Sequence, residues 1–167
     1  VALTIPQVGT ASGSAGTTGV TLIGNANTSA VTLSAASYEF GGATTITSAG
    51  NITAGATNPD IDITGNATLT GNLVLSDGTF NLNSGGGNIS VSGTITSAGE
   101  DETLTLTDGG ASGSITLGGA ATSGSVTLVG AGGVSLGGNL TASNTASAGT
   151  VSITGPVTLT QNVVIDA

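Results

Sequence analysis

The chain contains no Lys, Arg, His, Cys, Met or Trp. Nine carboxylates therefore give a net charge of −9, with no cationic side chain to balance them. Because nucleic-acid binding depends on Lys and Arg at the phosphates, the composition argues against a nucleic-acid partner. Because zinc and haem sites and activated nucleophiles draw on His and Cys, it also argues against these centres and against disulfides.

Long apolar runs are missing as well. No stretch approaches the roughly 18 consecutive apolar residues of a membrane-spanning helix, so we expect no membrane insertion. No segment shows the i, i+3, i+4 spacing of an amphipathic helix, so we expect a chain almost without helices. The first residue is Val1 and no positively charged segment precedes an apolar stretch. We interpret the sequence as a processed chain or a piece of a longer one.

A few small residue types make up most of the chain. Gly, Thr, Ala and Ser account for 100 of the 167 residues, and the only aromatic residues are Tyr38, Phe40 and Phe80. We therefore expect a thin core of stacked aliphatic side chains. Aliphatic residues alternate with Thr or Ser in short runs, which is the period of a strand with one buried face. Runs of this kind include Thr103–Thr107, Ser114–Leu117, Ser125–Val129, Leu140–Ala142 and Thr150–Thr154.

Internal repetition is the strongest signal in the sequence. Residues 63–75 match residues 153–165 at an offset of 90, and residues 50–54 match residues 138–142 at an offset of 88. A third match joins residues 45–50 to a copy 49 positions later. These offsets are about four and two units of 22–25 residues, the size of one coil of a β-solenoid. A Gly-Asn step followed by Ala or an aliphatic residue also recurs, at Asn51, Asn66, Asn72, Asn88 and Asn139.

These observations predict an all-β fold, a right-handed parallel β-helix (β-solenoid) of about seven coils with 22–25 residues each. One coil buries too little apolar surface to fold alone, so the coils must stack. We expect residues 41–167 to form the solenoid repeats. Residues 1–40 are less regular and are interpreted as an N-terminal coil, cap or docking segment, with a strand near Val1–Ile5 and a flexible stretch over Gly9–Gly19. The whole chain is expected to be one continuous domain.

Four segments carry a resemblance to a known family, namely residues 87–96, 104–107, 132–141 and 155–160. They resemble the repetitive passenger regions of filamentous-haemagglutinin-like adhesins and autotransporters, over roughly residues 41–167. The resemblance implies a rod outside the cell or on its surface that contacts host surfaces or polysaccharides. We therefore expect a non-enzymatic structural or adhesive protein without cofactors, a filament subunit or adhesin fragment. Uncapped terminal strands predict self-association end to end.

Carboxylates supply the other candidate chemistry. Acidic residues form two clusters in the sequence. One is Asp60 with Asp62, and the other is Glu100, Asp101 and Glu102. Carboxylate oxygens suit calcium, but the Gly-rich nonapeptide of calcium-binding β-rolls is missing. We therefore favour solvated corners and leave calcium binding as an alternative. The Asp-Gly steps at Asp77 and Asp108 are better explained as turns. No catalytic, cofactor-binding or metal-binding residue is assigned.

Two other functions are alternatives to the structural one. Paired carboxylates hydrolyse glycosides, but a sugar cleft also needs cationic or aromatic side chains, so we expect no enzyme. Aligned Thr-x-Thr faces on a solenoid suit an ice-binding protein, although Thr is also a good residue for any exposed strand. Intervals of 23, 26 and 9 between successive pairs argue against one flat face. The pairs are Thr45/Thr47, Thr68/Thr70, Thr94/Thr96, Thr103/Thr105/Thr107 and Thr158/Thr160.

Overall fold

The computed structural model describes two sets of residues. It gives the backbone of residues 3–5, 20–23, 31–33, 37–40, 44–54 and 60–63, and it gives residues 66–75, 78–97, 99, 101–145 and 148–167 with side chains. Within these ranges all regular structure is β-strand, and no helix there is suited to crossing a membrane. The predicted flexible stretch Gly9–Gly19 lies outside the described residues. The strands are β1 (Leu3–Ile5), β2 (Val20–Ile23), β3 (Val31–Leu33), β4 (Ser37–Phe40), β5 (Thr44–Ala54), β6 (Asp60–Ile63), β7 (Ala67–Leu75), β8 (Thr79–Asn83), β9 (Ile89–Val91), β10 (Ile95–Ser97), β11 (Thr103–Thr107), β12 (Ser114–Leu117), β13 (Ala121–Ser123), β14 (Ser125–Val129), β15 (Gly133–Leu136), β16 (Leu140–Ala142), β17 (Thr150–Thr154), β18 (Val157–Leu159) and β19 (Ile165–Asp166).

The strands stack into three parallel ladders, which we call face 1, face 2 and face 3. Face 1 contains β2, the first parts of β5 and β7, and β9, β12, β15 and β18. Face 2 contains β1, β3, the second parts of β5 and β7, and β10, β13, β16 and β19. Face 3 contains β4, β6, β8, β11, β14 and β17. The predicted all-β parallel β-solenoid is confirmed.

The strand register explains the two longest sequence offsets. Four successive parallel pairs connect Ala67 to Val157 along face 1, a separation of 90 residues. Four successive pairs also connect Ile52 to Leu140 along face 2, a separation of 88 residues. Both offsets are therefore four coils, as the sequence predicted.

The third offset and the number of coils differ from the predictions. Ile46 lies on face 1 whereas Ile95, 49 residues later, lies on face 2, so this match does not span two coils. An Ile-Thr-Ser run suits a strand on either face, and local similarity alone does not report the face. Residues 66–167 form about four turns, against about seven coils predicted for the whole chain, and the parallel pairs of β1–β6 continue the ladders upstream.

The core is a thin stack of aliphatic columns, as predicted. On face 3, Phe80, Leu104 and Val126 occupy one register position in three successive coils. Each side chain is at most 1% exposed, and a parallel column of leucines lies two residues further along the same strands. Burying side chains of this size contributes about 1.5–3 kcal/mol each, and each gains a neighbour above and below. The core therefore stabilises a coil only when its neighbours are in place.

Glycine forms the tight corner between faces 1 and 2. Gly71, Gly93, Gly119 and Gly138 occupy this corner in successive coils. A Cβ added at Gly119 would lie 2.6 Å from the carbonyl oxygen of Gly93, closer than real Cβ contacts allow. The stacked backbones therefore leave no room for a side chain at Gly93, Gly119 and Gly138.

Candidate functional surfaces

Asp108 is a buried acceptor at the corner between faces 3 and 1. Its side chain is 1% exposed. Oδ1 accepts a hydrogen bond from the Gly110 N–H at 2.9 Å, and Oδ2 accepts one from the Ala131 N–H in the next coil. Its carbonyl oxygen accepts the Ser84 hydroxyl of the preceding coil at 3.0 Å. The predicted turn at Asp108 is confirmed, with Gly109 at φ +67°, and the same residue also joins three coils.

Glu102 occupies the corner between faces 2 and 3 and is also buried, at 6% exposure. Its two carboxylate oxygens accept the Gly99 N–H at 3.0 and 3.1 Å, and Oε2 also accepts the Ser97 hydroxyl. Its carbonyl oxygen accepts the Ser123 hydroxyl at 2.6 Å and the Gly124 N–H at 2.7 Å. The expectation of a solvated corner is wrong for Glu102, because the Gly99 N–H and the Ser97 hydroxyl donate to its buried carboxylate.

The remaining acidic candidates do not join Glu102 in one cluster. Asp101 is exposed, and its carboxylate accepts the Thr145 hydroxyl at 3.4 Å. Asp60 and Asp62 lie on β6, in register with Asn81 and Asn83. Glu100 and Asp77 lie outside the described residues. Among the residues that are described, no group of three acidic side chains is placed to hold a metal ion.

The recurring Gly-Asn steps have a structural role that the sequence did not reveal. Asn88 stands just before β9, and its Oδ1 accepts the Ser114 N–H at 2.9 Å and the Ser114 hydroxyl at 3.0 Å. Asn72 likewise accepts the Thr94 N–H at 3.0 Å and its hydroxyl at 3.1 Å. In the same way, the Asn66 Oδ1 accepts the Asn88 N–H, and the Asn139 Oδ1 accepts the Val164 N–H. Each asparagine therefore clamps the start of a strand to the coil above it.

The Thr-x-Thr pairs are distributed over all three faces. Thr45/Thr47, Thr68/Thr70 and Thr158 lie on face 1, and Thr160 directly follows β18. Thr96 lies on face 2, where β13 places Thr122 beside it. The triple in β11 lies on face 3. The pairs therefore do not form a single surface, as the irregular intervals suggested. Face 3 nevertheless carries Thr or Ser at most of its outward positions.

The core residues of the last described coil are about half exposed. Val157 and Leu159 continue the core columns of face 1, where Val134 and Leu136 are each 1% exposed. In the last coil, however, Val157 is 47% and Leu159 51% exposed. Ile165, on face 2 of the same coil, is 47% exposed. Among the described residues, β17, β18 and β19 are thus the last strands of the three ladders, and the core columns end with them.

Comparisons with protein families, curated proteins and solved structures found no match to the chain. The architecture is that of a β-solenoid of stacked parallel strands, as in β-helix repeat proteins. The adhesin resemblance rests on the sequence segments alone.

Proposed function

We propose that this chain is a non-enzymatic, extracellular or cell-surface rod that assembles end to end and makes adhesive contacts. The single observation that supports the proposal is the exposed aliphatic patch on the last described coil. Val157 and Leu159 are about half exposed, although the residues at the same positions in the preceding coil are buried. Large aliphatic residues exposed as one patch are characteristic of an interaction surface.

The occupant that best fits this end is the opposite end of a second copy. Within the described residues, β17, β18 and β19 each pair with one strand only, and so do β1, β2 and β4 at the other end. Within the described residues, each of the three ladders thus has one singly paired strand at either end. Because all pairs are parallel, copies can stack in one direction without inverting a ladder. Such a head-to-tail contact does not close, so it builds a filament.

The composition supports a role without catalysis. The chain has no His, Lys, Arg or Cys, which are the usual partners of an activated nucleophile or a general acid. Asp108 and Glu102 are held by backbone N–H groups at separate corners. Their chemistry is that of structural acceptors. The external location and the contact with host surfaces or polysaccharides rest on the adhesin resemblance.

Assembly is tested by measuring mass across a concentration series with light scattering, followed by electron microscopy at the highest concentration. We expect the mass to rise with concentration and unbranched filaments to form. Replacing Leu159→Asp should abolish the rise, because a carboxylate would be buried at the junction. Thr158→Asp is the matched control, since Thr158 lies between the two core columns on the outward side. A strictly monomeric wild-type chain at all concentrations contradicts end-to-end assembly.

The adhesive and non-enzymatic parts need a separate measurement. We expect the chain to be retained on at least one insoluble polysaccharide or cell-surface preparation without releasing reducing sugars. Release of reducing sugars above the level of heat-treated chain would identify an enzyme and overturn this part of the proposal. Failure of retention on every preparation would remove the adhesive part and leave the assembly result untouched.

A further inference from the structure

Three of the asparagines that join neighbouring coils also begin an Asn-x-Ser/Thr tripeptide. This tripeptide is the acceptor sequence for N-linked sugars and is used where it lies on a protein surface. An acceptor site on a folded chain must therefore expose the asparagine together with the hydroxyl residue two positions later. The tripeptides are Asn66-Ala67-Thr68, Asn88-Ile89-Ser90 and Asn139-Leu140-Thr141.

The solenoid presents the three tripeptides in the same way. Each asparagine directly precedes a strand (β7, β9 or β16), and the middle residue is the first residue of that strand. The middle residues are all buried, at 1% exposure or less. Because side chains alternate across a strand, the asparagine and the hydroxyl residue lie together on the outer side. The three asparagines are exposed, and the three hydroxyl residues are half-buried.

The side-chain amides are held through their oxygen atoms. In each case Oδ1 accepts a backbone N–H of the next coil, at 2.9 Å for Asn66 and Asn88 and at 3.0 Å for Asn139. The nitrogen Nδ2 is not needed for this contact. It can therefore carry a substituent while the asparagine continues to clamp the next coil.

We propose that Asn66, Asn88 and Asn139 are acceptor sites for N-linked sugars on the folded solenoid. A separate transferase joins Nδ2 to the anomeric carbon of a nucleoside-diphosphate sugar. The bond between that carbon and the diphosphate oxygen breaks, and the nucleoside diphosphate leaves with the bonding electrons. A base of the transferase takes one proton from Nδ2. The amide carbonyl is unchanged in the product, so Oδ1 keeps its hydrogen bond to the next coil.

Asn72 provides a comparison within the same chain. It is exposed, and its Oδ1 accepts the N–H and the hydroxyl of Thr94 at 3.0 and 3.1 Å, so it forms the same clamp. The residue two positions later is Val74, which is half-buried and has no hydroxyl group. Asn72 should therefore not accept a sugar. Val74→Thr should make it an acceptor, and this change conserves β-branching on the outer side of the strand.

The test is incubation of the purified, folded chain with a soluble N-glycosyltransferase that recognises Asn-x-Ser/Thr and with UDP-glucose. Intact mass spectrometry counts the added hexoses. Elastase peptides locate them, since the chain has no Lys or Arg for trypsin. We expect hexose at Asn139 and at one or both of Asn66 and Asn88, which are one coil apart.

Two variants separate the tripeptide from the clamp. Thr141→Val keeps Asn139 but removes the hydroxyl group, so it should lose the sugar at Asn139 and keep the others. Val74→Thr should gain a sugar at Asn72. Circular dichroism before and after incubation shows that each chain is folded. The inference goes beyond the proposed rod function, and none of these measurements depends on end-to-end assembly or on adhesion.

Three results would overturn the proposal. The first is a folded chain that stays unmodified while the same transferase modifies a short peptide containing Asn-Ala-Thr. The second is modification that occurs only after the chain is unfolded by heat, which would show that the solenoid hides the sites. The third is equal modification of Asn72 in the wild type, which would show that exposure of any asparagine is sufficient.

Discussion

Asp108→Asn is the substitution that most directly tests how the coils are joined. The carboxylate accepts two backbone N–H groups, one from Gly110 in its own corner and one from Ala131 in the next coil. An amide has the same shape but offers one oxygen and one NH₂ group. Whichever way it is oriented, its NH₂ group faces a backbone N–H, and one buried donor loses its acceptor.

The magnitude follows from the burial of this site. Asp108 is 1% exposed, so water cannot replace the lost acceptor. Leaving a buried donor unsatisfied costs about 1–3 kcal/mol, and hydrogen bonds to charged groups fall in the upper part of this range. Removing a buried charge acts in the opposite direction by lowering the desolvation cost. We expect a net loss of about 2 kcal/mol, which corresponds to a fall in Tm of about 4–8 °C for a chain of this size.

Urea and thermal unfolding followed by far-ultraviolet circular dichroism measure this loss. Asp101→Asn is the control, because it makes the same change of charge at an exposed residue. We expect the control to stay within about 0.5 kcal/mol of the wild type. An Asp108→Asn variant as stable as the wild type, or more stable, would show that desolvation outweighs the two hydrogen bonds and would refute the reasoning.

Three further substitutions probe the other corner contacts by the same unfolding measurements. Glu102→Gln should cost less than Asp108→Asn, about 1 kcal/mol or below, because the Ser97 hydroxyl can reverse and accept from the new NH₂ group; an equal loss would contradict this. Asn88→Ala should cost about 0.5–1.5 kcal/mol by removing the acceptor of Ser114, whereas Asn88→Asp keeps an acceptor and should change stability less. Gly119→Ala should cost about 1–3 kcal/mol, since its Cβ would lie 2.6 Å from a carbonyl oxygen of the preceding coil; wild-type stability would show that the corner can relax.

The strands were predictable where aliphatic residues alternate with hydroxyl residues. β11 and β14 have the bounds expected from the sequence, because Leu or Val occupies every inward position there. β13 was missed, since its inward residues are Ala121 and Ser123, which carry no aliphatic signal. Ser123 faces inward because its hydroxyl bonds to the carbonyl oxygen of Glu102. A contact of this kind depends on the neighbouring coil, and no local pattern reports it.

The candidate surfaces were less predictable than the strands for a related reason. A Thr-x-Thr pair can be recognised within one strand. The outward Thr and Ser residues of face 3, however, become neighbours only when separate strands pair. Thr105 gains its neighbour Thr127 only through a register that depends on the length of the intervening corners. Those corners vary, since aligned residues on face 1 are separated by 26 positions between Ile89 and Ile115 but by 19 positions between Ile115 and Val134. Intervals counted along the sequence therefore mix strand spacing with corner length.

The missing cations and the buried carboxylates belong to one physical scheme. A solenoid breaks its backbone ladder at every corner, and each break leaves N–H groups that need acceptors. A chain without Lys or Arg cannot pair a buried acid with a cation, but it has N–H donors at these breaks. Asp108, Glu102 and Asn88 each place an oxygen there, and the bond reaches the next coil in two of the three cases. The carboxylates and amides of this sequence thus take over at the corners the role that backbone carbonyl groups have within the strands.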